Sequence, residues 1–360
     1  MTNLVVMEGD GIGPEITAAT LGVLKVADRA FGLGLKFNTV PIGVAALRAH
    51  GTTLPEASFK AAQEADGVVL GPVDHNAYPP VEQGGINPSG SLRKRLDLYA
   101  NIRPAKTRAG IPPKCGVPVD LVIVRENTEG FYADRNMFVG SGEFMPTPDV
   151  ALSVRKITRQ GCIRIAEAAF ELAMRRRKKV TAVHKANVLR VSETFFLDCV
   201  REVGRRYPSV AIEEVIVDAM AALLVRDASR YDVIVTTNMF GDILSDQASE
   251  IAGSLGLAAS INHGAEHGIA QAQHGSAPDI AGQDRANPTS LIGSAAMLLA
   301  WLGDRRKDNR LHAAAAAIES ALDRAIADPQ GRTRDIGGTL GTKAFGERVA
   351  AMLDESAARS

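Results

Sequence analysis

One stretch constrains this chain more than any other. Tyr231-Asp-Val-Ile-Val-Thr236 is a β-branched run of strand length, and Asp242 through Ile251 carries a helical pattern. Gly241 marks the expected strand-to-helix turn. Asp242 and Asp246 follow at i and i+4, which puts both carboxylates on one helix face near its N-terminus. Two like charges held side by side call for a cation between them. A hard, oxygen-seeking divalent ion such as Mg²⁺ or Mn²⁺ suits such a pair. The alternative is that one Asp caps the helix and the other is solvated, both helped by the helix dipole. Spacing alone slightly favours that alternative, so the neighbouring segments must decide.

Strands and helices alternate along the rest of the chain, the pattern of an α/β fold. Leu4–Met7 reads as a strand, followed by the turn Glu8-Gly-Asp-Gly-Ile-Gly-Pro-Glu15 and a helix over Ile16–Ala30. The glycines resemble a dinucleotide fingerprint, but G-x-G-x-x-G would need Gly where Pro14 stands, so a Rossmann turn is excluded. The turn remains tight enough to admit a ligand. Gly71–Ser91 is long for a connector, and loops of that length tend to be functional or disordered. A helix over Ser91–Tyr99 leads to Ala100-Asn-Ile-Arg-Pro-Ala105, and the strand Leu121–Val124 leads to Arg125-Glu-Asn-Thr-Glu-Gly-Phe-Tyr132. Arg93, Arg103 and Arg125 all lie at or near element ends. Any one surface arginine is an unremarkable event, whereas three so placed suggest a polyanionic substrate, since guanidinium forks match carboxylates. Val180–Val183 is a strand ending at His184-Lys-Ala-Asn-Val188, where Lys185 is either a mobile surface lysine or a base. Asp218 stands at the end of the strand Ala211–Val217, as a third carboxylate or simply a helix cap.

Composition limits the function classes. The chain has 360 residues, long for one core, so two domains are expected. Lys+Arg and Asp+Glu balance at 41 each, which argues against a nucleic-acid or membrane-surface binder. The apolar stretch Ala295–Leu302 is too short to span a bilayer. Cys115, Cys162 and Cys199 form no C-x-x-C and read as reduced thiols, so a cytoplasmic location is expected. The neighbouring His263, His267 and His274 lack an acidic or thiol partner at a recognisable zinc spacing.

Six segments in order resemble the β-decarboxylating dehydrogenases, the isocitrate, 3-isopropylmalate and homoisocitrate dehydrogenase family, in a bacterial-type form. They are Gly9-Asp-Gly-Ile-Gly-Pro-Glu15, Leu-Tyr-Ala-Asn-Ile-Arg-Pro (98–104), Arg-Glu-Asn-Thr-Glu-Gly (125–130), His-Lys-Ala-Asn-Val (184–188), Phe-Gly-Asp-Ile-Leu-Ser-Asp (240–246) and His-Gly-Ser-Ala-Pro-Asp (274–279). The similarity extends to Asp335-Ile-Gly-Gly338. It implies a two-domain α/β fold that is not a Rossmann fold, with an active-site cleft between a large and a small domain. The large, cofactor-binding domain would take residues 1–100 and 254–360. The small domain, 101–253, would carry the dimer interface and an intersubunit arm at about 133–150.

The resemblance also implies a chemistry: oxidative decarboxylation of a 2-hydroxy acid carrying a carboxylate at C3. Arg93, Arg103 and Arg125 would grip substrate carboxylates, with Ser89 and Asn187 also at the substrate. Asp242 and Asp246, joined by Asp218 of a second subunit, would hold Mg²⁺ or Mn²⁺. Lys185, also from the second subunit, would take the hydroxyl proton, and Tyr132 would return a proton to carbon. Ile12, His274, Gly275, Asp279, Ile280 and Asn287 would bind the cofactor. NADP-using relatives have Lys-Tyr where this chain has Asp279-Ile280. A carboxylate accepts hydrogen bonds from a free ribose diol and repels a 2′-phosphate, so NAD is expected.

Three segments depart from the family pattern, one of them the loop Pro72-Val-Asp-His-Asn-Ala-Tyr78. Ala270-Gln271 replaces the usual Phe-Glu, which removes a charge near the nicotinamide ribose. In the specificity segment Asn87-Pro-Ser-Gly-Ser-Leu92, isopropylmalate enzymes place Leu where Ser89 stands. A polar Ser89 disfavours an apolar substituent by about 1–3 kcal/mol. Isocitrate, homoisocitrate and smaller acids such as D-malate or tartrate stay open. So does a non-catalytic regulatory paralogue, although Lys185, Tyr132, Asp218, Asp242 and Asp246 are all present.

Overall fold

A computed structural model describes residues 1–132, 134 and 136–357. Residues 133 and 135, at the start of the expected arm, and Ala358, at the end of the expected last helix, lie outside the described residues. The chain begins β1 (Thr2–Met7), α1 (Gly13–Phe31), β2 (Leu35–Thr39), α2 (Gly43–His50), α3 (Glu56–Glu64), β3 (Gly67–Leu70) and α4 (Pro88–Arg95). It continues β4 (Ala100–Lys106), β5 (Asp120–Glu126), β6 (Glu143–Thr147), β7 (Val150–Ser153), α5 (Arg159–Met174), β8 (Lys179–His184), α6 (Ser192–Gly204), β9 (Ala211–Ile216) and α7 (Val217–Asp227). It ends β10 (Val233–Thr236), α8 (Asn238–Ala252), β11 (Ile261–His263), β12 (Gly268–Gln271), α9 (Thr289–Arg306), α10 (Asn309–Ala327) and α11 (Thr342–Ala357).

Two compact units form: residues 1–92, 108–112 and 254–360, and residues 93–107 and 113–253. In the first, the strands run in the order β2-β1-β3-β12-β11, parallel except for the antiparallel pair β12–β11. Helix α1 shows why its sequence folds so. Pro14 opens it, where a missing N–H costs nothing, and Gly32 closes it in the left-handed conformation. Ile16, Thr20, Val23, Leu24 and Ala27 line its buried face at helical spacing.

The second unit has the order β4-β5-β10-β8-β9, antiparallel between β4 and β5 and parallel elsewhere. Its inner strands β5, β8 and β10 are buried on both faces, and alternate residues of β5 and β10 enter two separate cores. Val122, Val124, Val233 and Val235 pack with α5 and α6, while Leu121, Ile123 and Ile234 pack with α7 and α8. That two-sided burial is why β5 and β10 read as unbroken apolar runs rather than alternating ones. β6 and β7 pair as an exposed antiparallel ribbon.

Several expectations are corrected. Helix α8 begins at Asn238, so Gly241 lies inside its first turn, its N–H donating to Thr237 O at 2.9 Å, and not at a strand-to-helix turn. Helix α4 starts at Pro88 and stops at Arg95, short of Tyr99. Asp97 adopts φ +48°, and the Leu98 N–H closes on Arg93 O. The long loop holds two short 3-10 turns, His75–Ala77 and Val81–Gln83. The glycine-rich turn admits chain and not ligand at its tightest point. Gly11 has φ +57°, and a Cβ there would lie 2.0 Å from Ser276 O. The three cysteines form no disulfide, and no helix among the described residues is long and apolar enough to cross a membrane.

Candidate active site

β4, β5 and the start of α8 bring five of the expected residues together: Arg103, Arg125, Tyr132, Asp242 and Asp246. Arg103 is buried on β4. Its Nη1 lies 3.1 Å from Asp242 Oδ1 and 3.2 Å from Asp246 Oδ1, and donates to Ser245 Oγ at 2.8 Å. Its Nε donates to Asn101 Oδ1 at 2.6 Å. Arg125 is buried on β5, its Nη1 pairing with Asp242 Oδ1 and its Nε and Nη2 donating to Asn238 Oδ1 at 3.0 and 2.7 Å. The Tyr132 hydroxyl donates to Asp242 Oδ2, and its ring lies 5.3 Å from the Arg125 guanidinium.

The helix can approach this closely because residue 241 has no side chain. A Cβ at Gly241 would fall 2.6 Å from Arg125 Cγ. Asn238 completes the setting. Buried at the head of α8, it also donates to Glu129 O at 2.9 Å, so its amide is held between two motifs. Burial works against the Asp242 carboxylate, but Arg125 and Arg103, the Tyr132 hydroxyl and Arg93 hold its pKa below the ordinary value. Burial and the adjacent Arg125 push the Arg103 guanidinium down to about 10, so it stays charged at neutral pH.

Lys185 and Asp218 form a separate pair. Lys185 follows β8 and donates to the exposed Asp218 carboxylate on the first turn of α7, which lowers that carboxylate's pKa. The Lys185 N–H donates to Glu193 Oε2 at 2.7 Å. Asn187 lies exposed in the turn beyond. Within one chain Asp218 does not join Asp242 and Asp246. Among the described residues, no group of three or more His, Cys, Asp or Glu side chains that could hold a metal forms at all. That holds for the three histidines too: His263 and His274 face neighbouring backbone carbonyls, and His267 meets Gln63 O.

In the first unit, Ile12 is buried, and its N–H donates to Ser276 O at 2.8 Å, docking the glycine-rich turn on the 274–279 loop. His274 Nε2 is buried with no hydrogen-bond partner, and burial lowers the pKa of the ring. Nothing would meet a Cβ at Gly275, Asp279 is exposed, and Ile280 is half-buried. Asn287 is committed, its Nδ2 donating to Asp335 Oδ2 at 2.9 Å and its Oδ1 accepting from the Thr289 N–H. Ser89 is buried on α4 and meets Gln271 in both senses at 3.1 Å, while Gln271 Oε1 also accepts from Asn262 Nδ2. Arg93 lies in the last turn of α4.

These residues fit the groups the sequence implies. Two half-exposed carboxylates already converge on one cationic nitrogen, the donor set a hard divalent ion takes, with the remaining positions left to water and substrate oxygens. An unpaired buried imidazole nitrogen beside an open glycine suits a polar ligand at the 274–279 loop. The sequence reading missed Asn101, Asn238 and Ser245, which orient the arginines. Asn238 lay inside the central stretch, but its partners Arg125 and Glu129 are far away in sequence and left no local signal.

The family model described as isocitrate/isopropylmalate dehydrogenase matches residues 3–349. A 3-isopropylmalate dehydrogenase of Archaeoglobus fulgidus is 40% identical over 98% of this chain and 100% of its own length. An isocitrate/homoisocitrate dehydrogenase of Thermus thermophilus is 41% identical over 97% of this chain and 98% of its own. The crystal structure of isocitrate dehydrogenase from Methylococcus capsulatus superposes with a TM-score of 0.87 at 38% identity, covering 98% of this chain and 100% of that one.

Proposed function

The chain belongs to the isocitrate/isopropylmalate dehydrogenase family, and from that premise we propose that it catalyses the NAD-dependent, divalent-metal-dependent oxidative decarboxylation of a 3-carboxy-2-hydroxy acid. The observation that carries the proposal is the convergence of Asp242 Oδ1 and Asp246 Oδ1 on a single positive nitrogen of Arg103. A divalent cation held by Asp242 and Asp246 would supply Lewis-acid polarisation of substrate oxygens, and NAD would supply the hydride acceptor. The guanidinium forks of Arg103 and Arg125, with Arg93, would hold the substrate carboxylates.

The protein's own residues move the protons. Lys185 takes the proton from the 2-hydroxyl as the C2 hydrogen departs as hydride. The resulting 3-carboxy-2-oxo acid loses CO₂ by cleavage of its C–C bond. Tyr132 then donates its hydroxyl proton to the carbon that CO₂ has left, a role suited to a phenol between Arg125 and Asp242. Asp279, exposed on its loop, suits a free ribose diol.

Lys185 and Asp218 stand together and apart from the arginine cluster, so we assign them to the active site of a second copy in a homodimer. Exposed apolar residues favour such a partner: Phe144, Met145 and Leu152 on the β6–β7 ribbon, Val191 at the head of α6, and Ile243 on α8. Ser89, paired to Gln271, keeps the substituent pocket polar and favours isocitrate-like or homoisocitrate-like acids over isopropylmalate. NADH formation that requires Mg²⁺ or Mn²⁺ supports this reading, and formation that a chelator leaves unchanged would remove the cation from it.

A further inference from the structure

Arg155 follows β7 and has no part in the chemistry above, yet it is almost wholly buried. Its Nη2 pairs with Glu193, the most deeply buried carboxylate of the second unit, and donates to Thr237 Oγ1 at 3.0 Å. Its Nη1 donates to Ser192 Oγ at 2.9 Å. The guanidinium also lies 5.4 Å from the Phe131 ring centroid and 5.6 Å from that of Phe240. Apart from Ser192, these partners adjoin segments that carry residues assigned to the reaction. Glu193 Oε2 receives the Lys185 N–H, Phe131 precedes Tyr132, and Thr237 and Phe240 bracket the first turn of α8, which carries Asp242.

We infer that Arg155 is a positioning residue: one guanidinium ties the segment bearing Lys185 to the segments bearing Tyr132 and Asp242. The inference rests on the reading of those three residues as catalytic. Its physical basis is geometric. A planar fork with several fixed donors can satisfy Glu193, Ser192 and Thr237 at once while its faces meet aromatic rings. A lysine at this position keeps the charge beside Glu193 but cannot span the same partners. Where Lys185 serves a second copy, as proposed, Arg155 links the segments that serve the two active sites of the dimer.

The test uses the full chain and two variants, Arg155→Lys and Thr237→Val. The second removes only the hydroxyl that receives Nη2, so it decides the matter if the first fails to fold. One readout is independent of turnover: the rate at which acetic anhydride modifies Lys185 at fixed pH, followed by peptide mass spectrometry. Lys60 and Lys343, exposed on helix surfaces, serve as internal references. The other is the split between kcat and KM. Positioning requires the Lys185 rate to change relative to both references, and kcat to fall by about tenfold to a hundredfold with KM little altered. A folded variant with an unaltered Lys185 rate would overturn the inference and leave Arg155 a purely structural ion pair. Absence of turnover in the wild-type protein with every acid tried would instead strike the proposed function, and the modification rate would still decide the role of Arg155.

Discussion

A Cβ built on Gly241 lies 2.6 Å from Arg125 Cγ, inside any real contact distance. The first turn of α8 therefore presses directly on a buried arginine, and the Arg125–Asp242 pair depends on the missing side chain. Gly241→Ala should cost about 1–3 kcal/mol through overpacking, in spite of the better helix propensity of alanine. Chemical denaturation of the wild type and the variant checks this. Equal midpoints would show that Arg125 can move aside freely.

Asp246 is the more exposed of the two carboxylates that meet Arg103, so its amide is a mild way to test cation binding. Asp246→Asn should keep the fold and weaken Mn²⁺ binding by at least about tenfold, measured by electron paramagnetic resonance of the free ion. Unchanged Mn²⁺ affinity would place the ion elsewhere.

Glu129 gives the fold a pH dependence whose sign can be worked out. Burial, and secondarily the charge of Glu126, raise its carboxyl to about 7, against the hydrogen bonds it accepts from Thr158. The ordinary value is 4.5, so the folded protein binds the proton more tightly than the unfolded chain. Its contribution is complete below 4.5 and disappears as pH rises through about 7. Glu129→Gln, which cannot ionise, should be stabilised relative to the wild type on going from pH 5 to pH 8, by on the order of 2–3 kcal/mol. A difference in Tm that does not vary with pH would mean that Glu129 is already ionised at pH 5.

Ser89 and Gln271, 182 residues apart, share a hydrogen bond at 3.1 Å and are both buried. Two of the departures from the family pattern are thus in direct contact. Ser89→Leu should shift the ratio of kcat/KM toward isopropylmalate and away from isocitrate or homoisocitrate, by the equivalent of about 1–3 kcal/mol. The same ratio in both proteins would detach Ser89 from substrate choice.

The α/β alternation was legible in the chain, and with it the places of Arg93, Arg125, Lys185 and Asp218 at or near element ends, whereas Arg103, expected near an end, lies in the middle of β4. β-branched runs such as Val233–Thr236 are buried on both faces and announce themselves without regard to partners. Asp242 and Asp246 do share a face. The start of α8 was not legible, because Asn238 is a poor helix former whose place is fixed by Arg125 and Glu129 from another motif. The glycine-rich turn misled in a similar way: its tight conformation serves Ser276, which is distant in sequence. Pairings such as Ser89–Gln271 and Arg155–Glu193 leave no local signature at all, since each residue read alone is an ordinary polar side chain.

The most direct test is turnover by the purified protein with Mg²⁺ or Mn²⁺, following NADH and CO₂ together. Isocitrate, homoisocitrate, 3-isopropylmalate, D-malate and tartrate would be supplied in parallel, each with NAD and NADP. The expected result is equimolar NADH and CO₂ from an acid with a polar C3 substituent, with NAD well ahead of NADP. NADH without CO₂, or no turnover of any acid by a folded protein, would contradict oxidative decarboxylation of this substrate class.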